Sequence, residues 1–183
     1  MRGDQLVVLV NGVPAAGKST LAPPLAEALG LPLISKDVIK EAHADILGAE
    51  PPDGRPQRDW NRALGAAASE TMWALLATAT PGAVLESSWR ADVRELVVAG
   101  LARAGVDRVV EVWCDVPAEL ARRRNEERWP SRHPIHGVRM TDQERTGVER
   151  HAEPLRLGPV IRVDTTHPVD VAGLAAQVRA ARA

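Results

Sequence analysis

Hydrophobic and polar positions change their spacing repeatedly along this chain. Residues 5–11 include a continuous apolar run, whereas apolar residues recur every three or four positions over residues 18–30. Continuous apolar runs are typical of strands covered on both faces, and the wider spacing is typical of amphipathic helices. Their alternation predicts an α/β fold with a mainly parallel sheet.

The same alternation continues to the end of the sequence. Further strands are predicted at 32–35, 83–86, 108–114 and 160–163. Ser35 and Asp115 are predicted helix N-caps, and Thr141 to Glu144 have the pattern of a capping box. The second predicted helix has an apolar face made of Val38, Ile39, Ala42 and Ile46. A long amphipathic helix follows and is broken at Pro81-Gly82; its apolar stripe comprises Trp60, Leu64, Ala67, Ala68, Thr71, Met72, Leu75 and Leu76. Further helices are predicted at about 91–104, from near Pro117, from Thr141 and after Pro168.

Composition narrows the class of protein. The 183 residues carry a formal net charge of −1, and 45% of them are hydrophobic. This balance argues against nucleic acid as the main ligand, and the length favours one domain over residues 1–183. No apolar stretch reaches membrane-spanning length and no signal peptide is recognisable, so we expect a cytoplasmic protein without a membrane partner. The single Cys114 is expected to be a buried small residue and not a nucleophile.

The stretch from Gly12 to Thr20 carries the most specific motif of the chain. It fits Gly-x-x-x-x-Gly-Lys-Ser between a predicted strand and a predicted helix, as in a phosphate-binding P-loop. Lys18 is predicted to reach the β- and γ-phosphates of ATP, and the Ser19 hydroxyl is predicted to bind Mg²⁺. The predicted nucleotide-binding residues are Gly12, Pro14, Ala15, Ala16, Gly17, Lys18, Ser19 and Thr20.

Two acidic residues follow predicted strands, where ligand sites lie in sheets of this kind. Asp37 falls in the first turn of a predicted helix, and an ionised carboxylate beside a γ-phosphate can accept the proton of an attacking hydroxyl. Helix capping is an equally supported interpretation of Asp37. Glu86 ends an apolar strand, where it can help to hold Mg²⁺, bind a substrate hydroxyl or simply face solvent.

Arginines are concentrated on the charged helix after Pro117 and in the loop at 129–140, which together form a predicted lid at about 122–140. Guanidinium groups match the negative charge of phosphates, so at least one of them is expected to contact phosphate, although each alone could lie on a solvated face. The group comprises Arg122, Arg123, Arg124, Arg128 and Arg132.

Other side chains in these regions are less specific. His133 and His136 lie three residues apart in the predicted lid, but no third ligand accompanies them, so a metal site is not predicted there. Trp89 and Trp129 either line a substrate pocket or fill the core of a protein that has no Phe and no Tyr.

Together these residues resemble a group of small P-loop kinases. The group includes chloramphenicol phosphotransferase, the kinase domain of polynucleotide kinase, zeta toxins and gluconate-kinase-like enzymes. The resemblance spans essentially the whole chain, and the segments that carry it are Gly12 to Thr20, 35–40, Glu86, 122–132, 151–154 and 163–166.

The resemblance implies a five-stranded parallel sheet flanked by helices, with a short arginine-bearing lid. It implies that Asp37 is the general base and that Lys40 is a basic residue on the substrate side. It further implies that Glu86 contacts substrate or metal and that Arg124 and Arg128 act as lid arginines. The lid around Trp129-Pro130 matches no single member closely, and residues 49–75 carry no recognisable acceptor motif.

The sequence therefore predicts an ATP- and Mg²⁺-dependent O-phosphotransferase that acts on a small hydroxyl acceptor of antibiotic, sugar or nucleoside type. A zeta-toxin-like kinase for a nucleotide sugar is an alternative. A nucleotide-hydrolysing switch is another, although no partner surface or water-positioning residue is recognisable. A polynucleotide 5′-hydroxyl kinase is disfavoured by the charge balance and the few stacking aromatics.

Overall fold

A computed structural model describes residues 5–182 of the protein, so both ends of the predicted 1–183 domain lie outside the described residues. Within residues 5–182, five parallel strands form one sheet flanked by seven α-helices, which confirms the predicted fold class. The strands are β1 Leu6–Asn11, β2 Leu33–Ser35, β3 Gly82–Glu86, β4 Val110–Asp115 and β5 Val160–Asp164. The helices are α1 Lys18–Leu29, α2 Lys36–Leu47, α3 Gln57–Thr78, α4 Arg94–Arg103, α5 Ala118–Glu127, α6 Asp142–Arg150 and α7 Val171–Arg182.

The strand order β2-β3-β1-β4-β5 puts β1 in the middle of the sheet. The chain leaves β1 toward the β2 edge and later crosses to the β4 edge, so the strand order reverses at β1. Ligands bind at such a reversal, beyond the carboxyl ends of the strands. The pairing register brings Ser35 opposite Glu86 and Asp115 opposite Asp164, so the polar ends of four strands meet at this edge.

The core occupies both faces of the sheet, as the continuous apolar runs of β1 and β3 predict. On one face, Val8 and Val112 pack in a cluster with residues of α1 and α7. On the other face, Leu9 and Leu85 belong to a cluster with residues of α3 and α4, including Met72. Burying one such side chain contributes about 1.5–3 kcal/mol, so this two-sided packing fixes the edge on which the site is built.

The structure corrects two predicted helix caps and confirms a third. Ser35 is at the N-cap position of α2, but its hydroxyl bonds Glu86 and makes no capping hydrogen bond. Asp115 belongs to β4 and binds Arg162, while Pro117 takes the N-cap position of α5. Thr141 and Glu144 form the predicted capping box at the start of α6.

Two predicted apolar faces are also revised. Val38 and Ile46 of α2 are exposed, and Ala44 is the residue of this helix that is buried. In α3 the buried stripe includes Trp73, whereas Leu75 is exposed. The predicted helix at 91–104 begins as a 3₁₀ turn at Ala91–Val93, and α4 follows it. No helix among residues 5–182 is both long enough and apolar enough to cross a membrane.

Replacing Gly100 with alanine is expected to lower the free energy of unfolding by about 1–3 kcal/mol. A Cβ atom at this position of α4 would collide with the indole ring of Trp73, so either helix or ring must shift. Chemical denaturation measures the change. Gly65→Ala is the matched control in α3, because a Cβ there meets no atom within 4 Å. Replacing a helical glycine with alanine at such an open position should leave the free energy of unfolding equal or higher. Equal effects of the two substitutions would contradict the packing described for Trp73.

Candidate active site

The loop between β1 and α1 has the backbone geometry of a phosphate cradle. Gly12 has φ +149°, and a Cβ there would lie 2.8 Å from the Cys114 carbonyl oxygen, so this position requires glycine. Gly17 (φ +87°) and Ala15 (φ 63°) also lie in the left-handed region. Such turns direct consecutive N–H groups into one concavity at the N-terminus of a helix, where anions are stabilised.

A buried polar network holds the start of this loop. Asn11 Oδ1 accepts hydrogen bonds from the backbone N–H groups of Gly12 (2.8 Å) and Trp89 (2.9 Å). Asn11 Nδ2 donates to Glu111 Oε1 at 2.9 Å. Glu111 in turn accepts from the backbone N–H groups of Leu155 and Arg156, at 3.0 and 2.9 Å. Sequence reasoning missed Asn11 and Glu111, although a polar residue within each apolar strand was the available signal.

Thr165 holds the other end of the loop. Its hydroxyl lies 2.8 Å from the Ala16 carbonyl oxygen and 3.0 Å from that of Asp115, while its own carbonyl accepts from Arg124 at 3.1 Å. Arg124 therefore ties α5 to the loop after β5, next to the P-loop. Thr165 belongs to a segment noted in the sequence only for its resemblance to kinases, and its contact with the P-loop was not predicted.

Lys18 is buried beneath the loop that it follows. Its Nζ donates to the carbonyl oxygens of Gly12 (3.0 Å) and Val13 (2.7 Å). Burial lowers the pKa of Lys18, and the negative charges of Glu86 and Asp37 oppose that effect. The structure thus holds the desolvated Lys18 amino group against two carbonyl oxygens of the loop, where Glu86 and Asp37 act on it electrostatically.

Glu86 joins the P-loop to the end of β2. Its Oε1 accepts from the Ser19 hydroxyl at 3.2 Å, and its Oε2 accepts from the Ser35 hydroxyl at 2.5 Å. The side chain is only 3% exposed, so it does not simply face solvent. Carboxylate and hydroxyl oxygens fit the preference of Mg²⁺, which is usually held by one or two protein ligands together with phosphate oxygens. Among residues 5–182 no cluster of three or more His, Cys, Asp or Glu side chains could hold a metal by itself.

Asp37 stands in the first turn of α2 among basic side chains. Burial lowers the pKa of each of these basic groups, and the negative charge of Asp37 opposes the effect in every case. They are Lys18, Lys36, Lys40, Arg132 and His136. The exposed Asp37 carboxylate therefore interacts electrostatically with the P-loop lysine, two lysines of α2 and two residues of the lid.

The lid docks on α2 and α3. Ile135, which is fully buried, packs in a small cluster with Ala44 of α2 and Leu64 of α3. His133 and His136 each lie 3.0 Å from a carboxylate of α2, those of Asp45 and Glu41 respectively. These carboxylate pairs account for both lid histidines, and Arg132 of the docked lid interacts electrostatically with Asp37.

The arginines of the predicted lid have different surroundings. Burial is the main cause of the lowered pKa values of Lys18 and Arg132, and the positive charge of Arg128 adds to it, so Arg128 lies close enough to act on both. Arg123 is exposed and pairs with Glu127 on the surface of α5. Arg132 lies near Asp37 and donates to Asn125 Oδ1 at 3.2 Å. The sequence pointed to Arg124 and Arg128, and the structure brings Arg132 to the same region.

Trp89 and Cys114 are core residues. Trp89 was predicted either to line a substrate pocket or to fill the core; it is 6% exposed and stacks on Trp73 with ring centroids 6.5 Å apart. Its placement fits the core interpretation. Cys114 is buried, and burial raises the pKa of its thiol to about 12, so it is protonated at neutral pH and is not a nucleophile.

His136 is expected to make stability depend on pH. Burial lowers the pKa of His136 from its usual 6.5, although Asp37 and Glu41 oppose the effect. Above pH 6.5 the imidazole is neutral in both folded and unfolded chains. As the pH falls, the unfolded chain binds the proton first, so wild-type stability should fall by at most about 1.4 kcal/mol per pH unit more than that of His136→Gln. Urea denaturation between pH 7.5 and 5.0 tests this, and identical pH profiles would contradict it.

The comparisons agree with this geometry. A protein family described as an AAA domain matches residues 7–146, so the chain belongs to that family. Among solved structures, a candidate kinase from Chloroflexus aurantiacus J-10-fl is 31% identical, with 97% of this chain and 98% of that chain covered and a TM-score of 0.82. The fold is that of a kinase-like P-loop NTPase, and the resemblance to small P-loop kinases is confirmed. No curated protein matches the sequence.

Two more distant structures share the fold alone. Kti12 of Chaetomium thermophilum, in complex with ADP-AlF3, is 18% identical, with 97% of this chain and 99% of that chain covered and a TM-score of 0.63. A gluconokinase from Sinorhizobium meliloti 1021 is 20% identical, with 98% and 92% covered and a TM-score of 0.55.

Proposed function

We propose that the protein is an ATP- and Mg²⁺-dependent phosphotransferase that moves the γ-phosphoryl group to a hydroxyl of a small molecule. The observation that carries the proposal is the position of Asp37. Its exposed carboxylate interacts electrostatically with the P-loop Lys18 and the lid Arg132. The kinase names of the structural neighbours support the same reaction class.

The P-loop residues from Gly12 to Thr20 bind the triphosphate through inward-facing N–H groups. Lys18 exchanges its bonds to the carbonyls of Gly12 and Val13 for phosphate oxygens, since a buried ammonium gains more from an anion than from neutral carbonyls. Ser19 and Glu86 would hold Mg²⁺, which when bound would neutralise part of the phosphate charge.

Asp37 acts as the general base. The acceptor oxygen bonds to the γ-phosphorus, the bond between that phosphorus and the bridging oxygen breaks, and the electron pair of that bond leaves with ADP. The acceptor proton passes to the Asp37 carboxylate and then to solvent. Lys40, three residues further along α2, orients the acceptor.

The lid arginines neutralise the phosphoryl group during transfer. Arg128 and Arg132 supply the positive charge, since both lie in the field of Lys18 or Asp37. Arg124 fixes the position of α5 through the Thr165 carbonyl and orients the other two. Electrostatic stabilisation by groups already in place is the main source of catalysis in phosphoryl transfer.

Incubation with Mg²⁺ and ATP labelled at the γ-phosphate tests the proposal. A panel of antibiotics, sugars and nucleosides serves as acceptors, and both labelled product and ADP are measured. Acceptor-dependent ADP formation with label on a hydroxyl supports the phosphotransferase. ADP formation that is equally fast without acceptor would favour the nucleotide-hydrolysing switch instead.

A further inference from the structure

A cavity of about 350 Å³ lies beside the P-loop, enclosed by the end of β4, α5, the lid and α6. We call it the lid pocket. Most residues that line it are apolar, and two of them are the indole rings of Trp113 and Trp129. Its volume is near the lower end of the range for small-molecule sites, about 300–1,000 Å³, and such sites are mostly apolar with a few polar groups.

Three of the four arginines that line the lid pocket already have partners, and the fourth, Arg122, is exposed on α5. Arg162 donates to Asp115 at 3.1 Å, and Arg139 lies over the Trp129 ring at 4.8 Å from the centroid. Arg132 donates to Asn125. A site for a polyol needs a hydrogen-bond donor or acceptor directed at every hydroxyl, because a buried hydroxyl without a partner makes the binding free energy less favourable by the cost of its desolvation. Most of the surface of the lid pocket is apolar instead, although the carboxylates of Glu126 and Glu149 also line it.

The lid pocket borders the candidate active site. Val13 and Pro14 of the P-loop form part of its wall, and the Val13 carbonyl is one of the two that bind Lys18 Nζ. On the lid side, Arg132 lines the pocket and lies in the field of Asp37. A molecule held in the pocket would therefore reach the position where the γ-phosphoryl group is transferred.

We infer that the acceptor is an amphiphilic alcohol, with an aromatic or similarly flat apolar body that fills the lid pocket and a hydroxyl group that projects past Pro14 toward Asp37. This inference rests on the proposed function and narrows it. Of the acceptors that the sequence left open, it favours an aryl-bearing compound of antibiotic type over a simple sugar. In the proposed complex the ring contacts the indole of Trp113 or Trp129, both of which line the pocket, and aromatic contacts add to the gain from burial.

Binding of two matched diols tests the inference. One probe is 1-phenyl-1,2-ethanediol, and the other is 1,2-butanediol, which carries the same diol without a ring. Their Kd values are measured by NMR on the whole protein in the presence of Mg²⁺ and ADP. Burial of the ring should make the phenyl compound bind at least about tenfold more tightly.

Substitutions locate the probe. Val148 of α6 lines the lid pocket, so Val148→Arg should remove the preference for the phenyl compound. Gln143→Arg makes the same change at an exposed position of α6 outside the lining and should keep the preference. Met140→Arg alters the lid side of the pocket and provides a second test if Val148→Arg does not fold, as judged by circular dichroism.

The inference is overturned if the two diols bind equally, if neither binds, or if both pocket substitutions leave the preference intact. Calorimetry with Mg²⁺ and the non-hydrolysable analogue AMP-PNP examines the proposed function separately. If the phenyl compound binds selectively but the nucleotide does not bind, the proposed kinase function is wrong and the lid pocket remains a site for an apolar ring. If the nucleotide binds but the two diols bind equally, the inference about the acceptor is wrong and the proposed kinase function stands.

Discussion

Asp37→Asn is expected to lower kcat for phosphoryl transfer by about 10²- to 10⁴-fold. The amide has nearly the same shape as the carboxylate but cannot accept the acceptor proton. The Kd for Mg²⁺ and AMP-PNP should change little, because the P-loop makes the contacts to the triphosphate. Steady-state kinetics with the best acceptor of the panel, together with calorimetry, measures both quantities.

Asp45→Asn provides the control for this experiment. Asp45 lies on the same helix, is exposed and pairs with the lid His133, so the same change of charge there should alter kcat by less than about threefold. A comparable loss of kcat in both variants would point to the overall charge of α2. Full activity of Asp37→Asn would remove the general base from the mechanism.

Lys18→Met is expected to separate stability from activity. Removing a charge that stabilises the transferred group should lower kcat/KM by at least about 10²- to 10³-fold and weaken nucleotide binding. Burial lowers the pKa of Lys18, which means that its charge is costly to hold in the nucleotide-free protein. Methionine has a similar length and no charge, so the free energy of unfolding of the Lys18→Met variant should be equal to or higher than that of the wild type.

Arg103→Met is a suitable comparison, because Arg103 is exposed and pairs with Glu70 away from the P-loop. It removes one positive charge and should leave kcat/KM unchanged. If Lys18→Met were strongly destabilised without nucleotide, Lys18 would be a structural cation whose bonds to the loop carbonyls outweigh its desolvation. Thermal unfolding with and without Mg²⁺ and ATP distinguishes these cases.

The sheet and the P-loop were predictable because their signals are local. A buried parallel strand needs an unbroken apolar run, and a phosphate loop needs glycines at fixed positions such as Gly12 and Gly17. The predicted positions of all five strands agree with the structure to within about two residues. The predicted apolar faces of the helices were wrong at positions such as Val38 and Leu75, which are exposed because tertiary packing decides which positions are buried.

The rest of the site depends on contacts between distant parts of the chain. Glu111 and Asn11 meet across 100 positions, and Thr165 meets Ala16 across 149, so no local pattern indicates either pair. Arg132 could not be chosen from five neighbouring arginines, because the docking of Ile135 on α2 and α3 selects which of them face inward. The roles assigned to Asp37, Lys40, Glu86 and the lid arginines stay predictions.

The hydrogen bonds of Glu111 have a consequence for how the chain can be divided. The segment matched by the AAA domain family ends at residue 146, yet the amides of Leu155 and Arg156 and the hydroxyl of Thr165 complete the anchoring of the nucleotide loop. A polypeptide truncated after 146 would retain every signature residue of the motif and leave a buried glutamate without its amide donors. The P-loop therefore acquires its full set of supporting hydrogen bonds only after β5 has been synthesised and has joined the sheet.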